Sequence, residues 1–254
     1  MENKEVYPPE FSKVYDKYWF GFATNLAPQI YDMYSKEAIF TKEKTLIDIC
    51  CGPGHLACYF LEKGFSIVGI DLSEKMLEIA QNKAKKYNKN AEWIKADAAN
   101  FALNKKFGLA VSTFDSLNLL EDLDALNRRF QCVSNHLVDN GVFIFDINTR
   151  AGIATNNNVY ITENDNFTVI VKGYFDGQAD KGYLKFSGFS QVENGLFEKF
   201  EHYASNTVFT IDDIYNLLIK ANFKDVRYYK LAGTQMEAID DPESSLKVAI
   251  YAQK

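Results

Sequence analysis

The sequence predicts an α/β fold, and three observations carry that prediction. Residues 45–71 show a strand (45–50), a glycine turn (Gly52-Pro53-Gly54), a helix (about 55–63) and a second strand (66–70). Apolar strand-like and amphipathic helical segments then alternate up to about residue 150, which is typical of a parallel sheet. Later strand-like runs are joined by Asp-Gly and Asn-Gly turns, which indicate antiparallel hairpins. We therefore expect a Rossmann-like sheet with helices on both faces and an antiparallel β insert.

Bulk properties restrict the class of protein. Of the 254 residues, 47% are hydrophobic, which is enough for a full core, and 24% are charged, which is ordinary for a globular protein. The net charge is −6 and no dense Lys/Arg cluster occurs, so we expect no nucleic-acid partner. No apolar run reaches the roughly 18 residues of a membrane span, and the first five residues lack a secretion signal. We therefore expect no membrane association and a cytoplasmic location.

The four cysteines lack the spacing of a disulfide framework or a zinc site, and they are Cys50, Cys51, Cys58 and Cys132. Free thiols and the absence of a bound metal are the expectation.

The glycine turn is the centre of the predicted binding site. Gly52 and Gly54 have no Cβ, so the turn can be tight and a ligand can lie against its backbone. The following helix directs its first N–H groups toward that ligand. Asp71, at the end of the second strand, can accept hydrogen bonds from both hydroxyls of a ribose. This β-α-β unit predicts a nucleoside-containing ligand.

Two further acids decide between cofactors. The turn also matches the G-x-G-x-x-A form of the dinucleotide fingerprint, which is a weak signal alone. Asp48 interrupts the apolar first strand, and a dinucleotide offers it no cationic group, whereas S-adenosylmethionine carries an ammonium. Asp97 and Ala98 follow a third strand (92–95) and are placed to receive the adenine amine. Each acid alone could be a turn or cap residue, and an NAD enzyme is the weaker alternative. Three acids at successive strand ends favour S-adenosylmethionine.

Several segments together resemble the class I S-adenosylmethionine-dependent methyltransferases of the small-molecule type. They span residues 46–55, 68–76, 96–98, 111–118 and 137–148. The resemblance is close over roughly residues 10–150 and looser beyond. Pro53 stands inside a turn that is usually glycine-rich in this family.

The resemblance implies one methyltransferase domain over residues 1–254, built on a seven-stranded sheet. Its expected parts are an N-terminal helical lid (1–43), a cofactor-binding core (44–150), the antiparallel β insert (159–209), and a C-terminal helix with the last two strands (210–254). It also places Cys50 among the cofactor contacts.

The N-terminal segment is rich in aromatic residues. Phe11, Tyr15, Tyr18 and Phe22 recur at helical spacing, which predicts one or two helices with an aromatic face packed as a lid. Residues 11–16 are also similar to the tyrosine-aspartate segment that covers the cofactor in small-molecule methyltransferases, including sugar N-methyltransferases. That similarity implies that Tyr15 binds the methionine carboxylate and shields the sulfonium, with Tyr18 and Trp19 as the next candidates.

Further contacts follow from strand ends. Leu72 and Met76 are expected to pack on the ribose and adenine, although Met76 could simply be core. After the fourth strand (108–112), Phe114 could stack near the cofactor, and Asp115 could face the substrate or cap a turn.

A helix (121–138) then leads to a buried fifth strand (142–147). Asp146 and Asn148 end that strand and are candidates for substrate binding.

The second half is less specific. Residues 151–165 are expected to form an exposed loop, followed by strand-like runs at 167–175, 181–192 and 196–209, with a hairpin turn at Asn194-Gly195. His202 is a candidate base or a core residue. The last two strands (225–231 and 245–252) enclose a long polar loop, 233–244. Inserts of this kind build the substrate pocket and a homodimer contact in the family that the chain resembles.

The predicted activity is transfer of a methyl group from S-adenosylmethionine to nitrogen or oxygen of a small molecule, by in-line displacement. Asp115, Asp146 and His202 are the candidates for removing a proton. A methyltransferase acting on protein or nucleic acid, and a non-catalytic S-adenosylmethionine-binding protein, are the alternatives.

Overall fold

The computed structural model describes residues 7–87, 91–192, 195–233 and 235–254. Its helices are α1 (Pro9–Tyr18), α2 (Phe20–Ser35), α3 (His55–Glu62), α4 (Glu74–Ala84), α5 (Leu123–His136), α6 (Arg150–Thr155) and α7 (Ile211–Lys220). Its strands are β1 (Thr45–Ile49), β2 (Ser66–Asp71), β3 (Ala91–Lys95), β4 (Phe107–Ser112), β5 (Leu137–Asn148), β6 (Val159–Asn164), β7 (Phe167–Asp176), β8 (Lys181–Gln191), β9 (Phe197–Thr207), β10 (Asp225–Ala232), β11 (Gln235–Ala238) and β12 (Lys247–Gln253).

The central sheet has the order β11-β10-β12-β5-β4-β1-β2-β3. The five adjacent strands β5, β4, β1, β2 and β3 are parallel to one another. The strands β12, β10 and β11 are antiparallel to their neighbours. The predicted α/β fold is thus confirmed, and the seven expected strands are present. The described residues add an eighth, β11, inside the segment 233–244 that was expected to be a loop. This strand is short and mostly exposed, so its sequence carries no apolar alternation.

Helices cover both faces of the sheet, and the predicted amphipathic stripes explain which face each one takes. On one face, α5 and α7 bury Phe130 and Leu218 against strand residues such as Phe143. On the other face, α2 and α3 bury Ile30 and Phe60 in a separate cluster. This packing leaves the carboxyl ends of the parallel strands open at one edge of the sheet, where α/β proteins bind ligands.

The insert is a separate antiparallel sheet with the order β6-β7-β8-β9. Three of its strands were predicted, but the expected loop over residues 151–165 was wrong, because it contains α6 and β6. Thr149 caps α6 by accepting a hydrogen bond from the N–H of Gly152, and β6 pairs with β7 along its full length. The strand β6 lies at the edge of the sheet and is largely exposed, so its sequence looks like a loop. The predicted hairpin turn includes Asn194, which lies outside the described residues.

The lid joins the two sheets. The helix α1 contacts α4 of the core and the strands β8 and β9 of the insert. Its buried residues Phe11 and Val14 pack with Phe167, Val169 and Phe200 in a third apolar cluster. The predicted aromatic lid helices are therefore present as α1 and α2, and α1 bridges the carboxyl edge of the central sheet and the insert.

Within the described ranges, no helix combines the length and the apolar character needed to cross a membrane.

Candidate active site

A cavity of about 780 Å³ lies where the carboxyl edge of the central sheet, the lid and the insert meet. One half of its lining comes from the glycine turn and the strand ends of the core, and these residues include Cys50, Gly52, Asp71, Leu72, Met76, Ala98 and Ser116. The other half comes from the lid, the insert and the last strand, and these residues include Tyr7, Trp19, Val171, Phe186, His202, Asn206 and Lys247.

Asp71 holds the glycine turn in place. Its carboxylate accepts hydrogen bonds from the backbone N–H groups of Gly52 and Ser73, each at 2.8 Å. Gly54 has a φ of +72°, and a Cβ there would lie 2.8 Å from the Cβ of Ala80 and 2.9 Å from the ring of Trp93. The turn therefore requires glycine at position 54 for two reasons, its backbone conformation and its packing.

Asp48 lies beneath the turn rather than in the cavity. It is 2% exposed and accepts a hydrogen bond from the N–H of Ala57. Burial, assisted by the nearby carboxylate of Asp71, raises the pKa of Asp48 to about 8. Among the described residues, no hydrogen-bond donor reaches its second oxygen, Oδ2. A buried carboxyl oxygen in this condition fits a ligand that brings a cation or a water molecule to it.

Tyr15 lies over the turn. A Cβ built on Gly52 would be 4.0 Å from its ring, and its ring centroid lies 5.4 Å from that of Trp19 and 5.8 Å from that of Phe114. Burial raises the pKa of Tyr15 well above its ordinary value, so the phenol stays protonated and can donate a hydrogen bond into the cavity. The next residue of the lid face, Tyr18, bonds through its hydroxyl to Oγ1 of Thr162 at 2.9 Å.

A polar cluster fixes the lid to the cofactor side of the cavity. Asp16, which follows Tyr15, pairs with Nε2 of His55 at 2.7 Å and with the ammonium of Lys83. Lys83 also lies 2.9 Å from Nε2 of His55 and 3.3 Å from the carbonyl oxygen of Pro53, to which it donates. One turn of α1 is thus tied to the glycine turn and to α4. The sequence analysis did not identify this cluster, because its members are far apart in the chain.

The loop after β4 is strained and is held by a buried carboxylate. Phe114 and Asp115 have φ values of 65° and 47°, which are uncommon outside glycine. Oδ1 of Asp146 accepts the N–H of Phe114 at 2.7 Å, and Oδ2 accepts the N–H of Asp115 at 2.9 Å. Asp146 is fully buried behind this loop and does not line the cavity. Its carboxylate therefore positions Phe114 and Asp115 in the cavity wall.

Lys247, on β12, completes this arrangement and was missed by the sequence analysis. Its ammonium lies 2.5 Å from Oδ1 of Asp115 and 3.1 Å from Oδ2 of Asp146. Burial alone would lower the pKa of Lys247, but the two carboxylates outweigh it and raise the pKa above its ordinary value. The ammonium also lies over the rings of Phe22 and Phe114, at 4.8 and 5.4 Å from their centroids. No local pattern distinguishes this lysine from others in the chain.

His202 faces the cavity from the insert. Its ring lies 4.7 Å from that of Tyr7 and stacks on Phe11 at 4.9 Å, measured between centroids. Burial lowers the pKa of His202 to about 4, so its ring is neutral near pH 7.

Asn118 ties the surrounding elements together. Its side-chain amide donates to the carbonyl oxygens of Asn148 and Thr207, at 3.1 and 3.0 Å, and its oxygen accepts the N–H of Asn148 at 2.9 Å. This fully buried residue joins the strained loop to the ends of β5 and β9.

The structure brings most of the predicted site residues together. Those that line the cavity are Tyr15, Trp19, Cys50, Gly52, Asp71, Leu72, Met76, Ala98, Phe114, Asp115, Asn148 and His202. Asp48, Gly54, Asp97 and Asp146 do not line it. Asp97 is exposed and accepts the N–H of Ala99 at 2.8 Å, as a turn residue does. The roles assigned to these residues stay predictions.

Comparison with known proteins defines the class. Residues 46–141 match the family model described as "Methyltransferase domain". This range runs from β1 into β5 and contains the glycine turn, Asp71 and the strained loop. Residues 46–141 are thus a methyltransferase domain, and the fold and the cavity agree with S-adenosylmethionine-dependent activity.

Individual relatives agree with this class. The chain is 25% identical to the "Putative methyltransferase YqeM" of Bacillus subtilis (strain 168) over 84% of this chain and 85% of that protein. It is 28% identical to a dTDP-3-amino-3,4,6-trideoxy-alpha-D-glucopyranose N,N-dimethyltransferase of Streptomyces venezuelae, over 56% and 58% of the two chains.

The fold is shared with solved structures at lower identity. An S-adenosylmethionine-dependent methyltransferase from Clostridium acetobutylicum ATCC 824 has a TM-score of 0.79 at 22% identity, covering 96% of this chain and 97% of its own. The sugar N-methyltransferase KedS8 from Streptoalloteichus sp ATCC 53650 has a TM-score of 0.75 at 18% identity, covering 100% and 98%.

The residues present fit S-adenosylmethionine. The glycine turn leaves its backbone open to the cavity, and Oδ2 of Asp48 beneath it lacks a donor within the described ranges. Leu72, which follows Asp71, is apolar yet 46% exposed in the cavity wall, as expected of a side chain that an adenosine covers. The core half of the cavity is thus suited to a nucleoside that carries a cationic tail.

Proposed function

We propose that the chain transfers the methyl group of S-adenosylmethionine to nitrogen or oxygen of a small molecule bound between the lid and the insert. The observation that carries this proposal is the continuity of the cavity from the glycine turn to the inner face of the insert. Its volume of about 780 Å³ is in the range of small-molecule and cofactor sites. Phe11, Tyr15 and Tyr18 of the lid helix α1 line this cavity, which favours a small acceptor over a long polymer.

The reaction requires little covalent chemistry from the protein. S-Adenosylmethionine, when bound, supplies a methyl group activated by a positively charged sulfur. The chain's own residues must orient the acceptor and exclude water, and the aromatic lid residues Tyr15 and Trp19 are placed to do so. Asp115 lines the cavity beside Lys247 of the last strand, so it is the best-placed carboxylate to receive a proton from an acceptor. His202 also faces the cavity; burial lowers its pKa to about 4, so its ring is neutral near pH 7, and it is the second candidate.

The alternatives have less support. A methyltransferase acting on nucleic acid is disfavoured by the net charge of −6. A non-catalytic binding protein would not need an ion-paired carboxylate held by a strained loop in the acceptor half. The dTDP-amino sugar dimethyltransferase and KedS8 are named for small-molecule acceptors, which supports the same class here. A homodimer and a cytoplasmic location stay predictions from the sequence.

Isothermal titration with S-adenosylmethionine, S-adenosylhomocysteine and NAD tests the cofactor. Asp71→Ala is unsuitable as a probe, because the variant would also release the N–H groups of Gly52 and Ser73. Leu72→Gln changes only an exposed apolar contact, and Leu123→Gln is its matched control, since Leu123 is similarly exposed, at 42% against 46%, and lies outside the cavity.

We expect both sulfur ligands to bind, NAD not to bind, and Leu72→Gln alone to weaken binding by about threefold to tenfold through lost apolar contact. Failure of both sulfur ligands to bind, or preferential binding of NAD, would contradict the proposal.

A further inference from the structure

The acceptor half of the cavity is apolar and aromatic over most of its lining. Its walls are formed largely by Trp19, Phe22, Tyr160, Val169, Val171, Leu184 and Phe186. Trp19 and Phe186 meet edge to face, with ring centroids 5.9 Å apart and an interplanar angle of 88°. Such a surface favours an acceptor with an apolar body, which removes its own area and that of the walls from water.

The polar side chains of this half are almost all uncharged. Asn148, Asn156, Asn206 and Thr162 supply amides and a hydroxyl. His202 is neutral near pH 7, because burial lowers its pKa to about 4. Hydrogen bonds, rather than ionic contacts, are what these residues offer to an acceptor.

Lys247 is the one cation among the described residues that line the cavity, and carboxylates already bind it. Burial raises the pKa of Asp146, and its two oxygens accept hydrogen bonds from two backbone N–H groups and from this ammonium. One ammonium thus contacts two carboxyl groups, those of Asp115 and Asp146. Lys247 binds Oδ1 of Asp115, and within the described ranges Oδ2 of Asp115 has no hydrogen-bond partner.

This charge pattern separates two kinds of acceptor. The diphosphate of a nucleotide-linked sugar carries two negative charges that favour cations when it leaves water, and here the ammonium of Lys247 is already bound by two carboxyl groups. An ammonium group has the opposite requirement, and the free oxygen of Asp115 satisfies it. The apolar body of such an acceptor then packs against the aromatic and aliphatic walls of the cavity.

We propose that the acceptor is an amine on an apolar, aryl or alkyl, body, and that it is not a nucleotide-diphosphate sugar. This inference rests on the proposed function. The amine binds as an ammonium at Asp115 and transfers one proton to that carboxylate. Its freed lone pair then forms the N–CH₃ bond while the pair of the CH₃–S bond stays on sulfur, giving a methylated ammonium and the neutral sulfide S-adenosylhomocysteine.

The test measures binding and turnover for three probes. 2-Phenylethylamine, 2-phenylethanol and a dTDP-linked amino sugar are titrated into the protein, with and without saturating S-adenosylhomocysteine, and their initial rates with S-adenosylmethionine are compared. We expect the amine to bind at least tenfold more tightly than the other two and to be methylated on nitrogen.

Two variants test the placement. Asp115→Asn should lower kcat/KM for the amine at least tenfold and leave the affinity for S-adenosylhomocysteine within twofold, whereas the exposed control Asp139→Asn should change neither. Leu184→Gln makes the apolar wall polar without touching the strained loop, and it should raise KM for the amine more than it lowers kcat. It therefore keeps the test decisive if Asp115→Asn fails to fold.

Tighter binding of the nucleotide sugar, or equal methylation of the alcohol, would overturn the inference while leaving a methyltransferase. A protein that binds no S-adenosylhomocysteine would remove the proposed function, and the titrations without cofactor would still decide the class of acceptor. Failure of the amine to bind in either state would overturn the inference.

Discussion

Asp48 makes the stability of the protein depend on pH in a direction opposite to that of most carboxyl groups. The change to study is Asp48→Asn, which keeps an oxygen acceptor for the N–H of Ala57 and removes the titration. In the folded protein the pKa of Asp48 is about 8, whereas a carboxyl in the unfolded chain titrates near about 4. Between these values the folded state holds a proton that the unfolded state has lost. The free energy of unfolding therefore falls as the pH rises through this window.

The magnitude follows from the linkage relation. One proton contributes about 1.4 kcal/mol per pH unit where the two states differ fully. Between pH 5 and pH 8, the free energy of unfolding of the wild type should fall by about 3 to 4 kcal/mol relative to that of Asp48→Asn. The fall ends near pH 8, because Asp48 then loses its proton in the folded state too. Urea denaturation of both proteins at each pH measures this, and the difference between them cancels the other titrating groups. A difference that stays constant with pH would show that Asp48 is ionised in the folded protein.

The same proton should be released when the cofactor binds. A cation placed at Oδ2 of Asp48 favours the carboxylate and lowers its pKa, so binding at pH 7 should expel up to one proton. Calorimetric titration in phosphate and in Tris, which differ in ionisation enthalpy, detects this release as a buffer-dependent heat. The heat should become independent of the buffer in Asp48→Asn.

Three further changes test the framework of the site. Gly54→Ala should cost about 3 kcal/mol in urea denaturation, because its Cβ would overlap Ala80 and Trp93 in a backbone conformation that disfavours side chains. Asn118→Ala should cost about 3 kcal/mol and lower kcat, since it leaves three backbone groups of β5 and β9 without these partners. Asp16→Asn should speed proteolysis within α1 and weaken cofactor binding, at a cost in stability of about 1 kcal/mol or less.

Each change has a matched control. Gly64→Ala shares the strained backbone, with φ +88°, but its Cβ would meet no atom within 4 Å, so it isolates the conformational part of the cost. Asn25→Ala, at an exposed site on α2, should be nearly neutral, and so should Asp32→Asn, which removes an exposed pair with Lys36. Equal effects in a variant and its control would contradict the structural reason given for that variant.

The core of the fold could be predicted because its signals are local. The strands β1, β2 and β4 and residues 142–147 of β5 are mainly apolar runs, and the glycine turn lies within a few residues of Asp48 and Cys50. The missed helix α6 has six residues and is capped by Thr149. The strands that were missed, β6 and β11, are short and mostly exposed, and they form because neighbouring strands offer them hydrogen bonds. Such tertiary pairing leaves no periodic pattern in the sequence.

The two halves of the site also differ in how local their sequence signals are. The cofactor half comes from strand ends that follow one another in the chain, so spacing and residue type were enough to identify Asp71 and Leu72. In the acceptor half, Lys247 meets an aspartate 101 residues earlier in the chain. Only the register of β12 against β5, which pairs Lys247 with Asn148, brings them together. The strand register of β12 against β5 could not be predicted from one sequence.

The position of α1 has a consequence for how the protein is made. Phe11 and Val14 leave the ribosome early, yet the residues that bury them belong to β7 and β9, which are synthesised much later. Until the insert is complete, Phe11 and Val14 lack the β7 and β9 residues that bury them, and exposed apolar side chains of this kind bind chaperones or other nascent chains. We expect a ribosome-bound intermediate whose core strands have folded to be aggregation-prone at α1. The helix α1, which we propose excludes water from the reaction, would thus be among the last elements to be buried during synthesis.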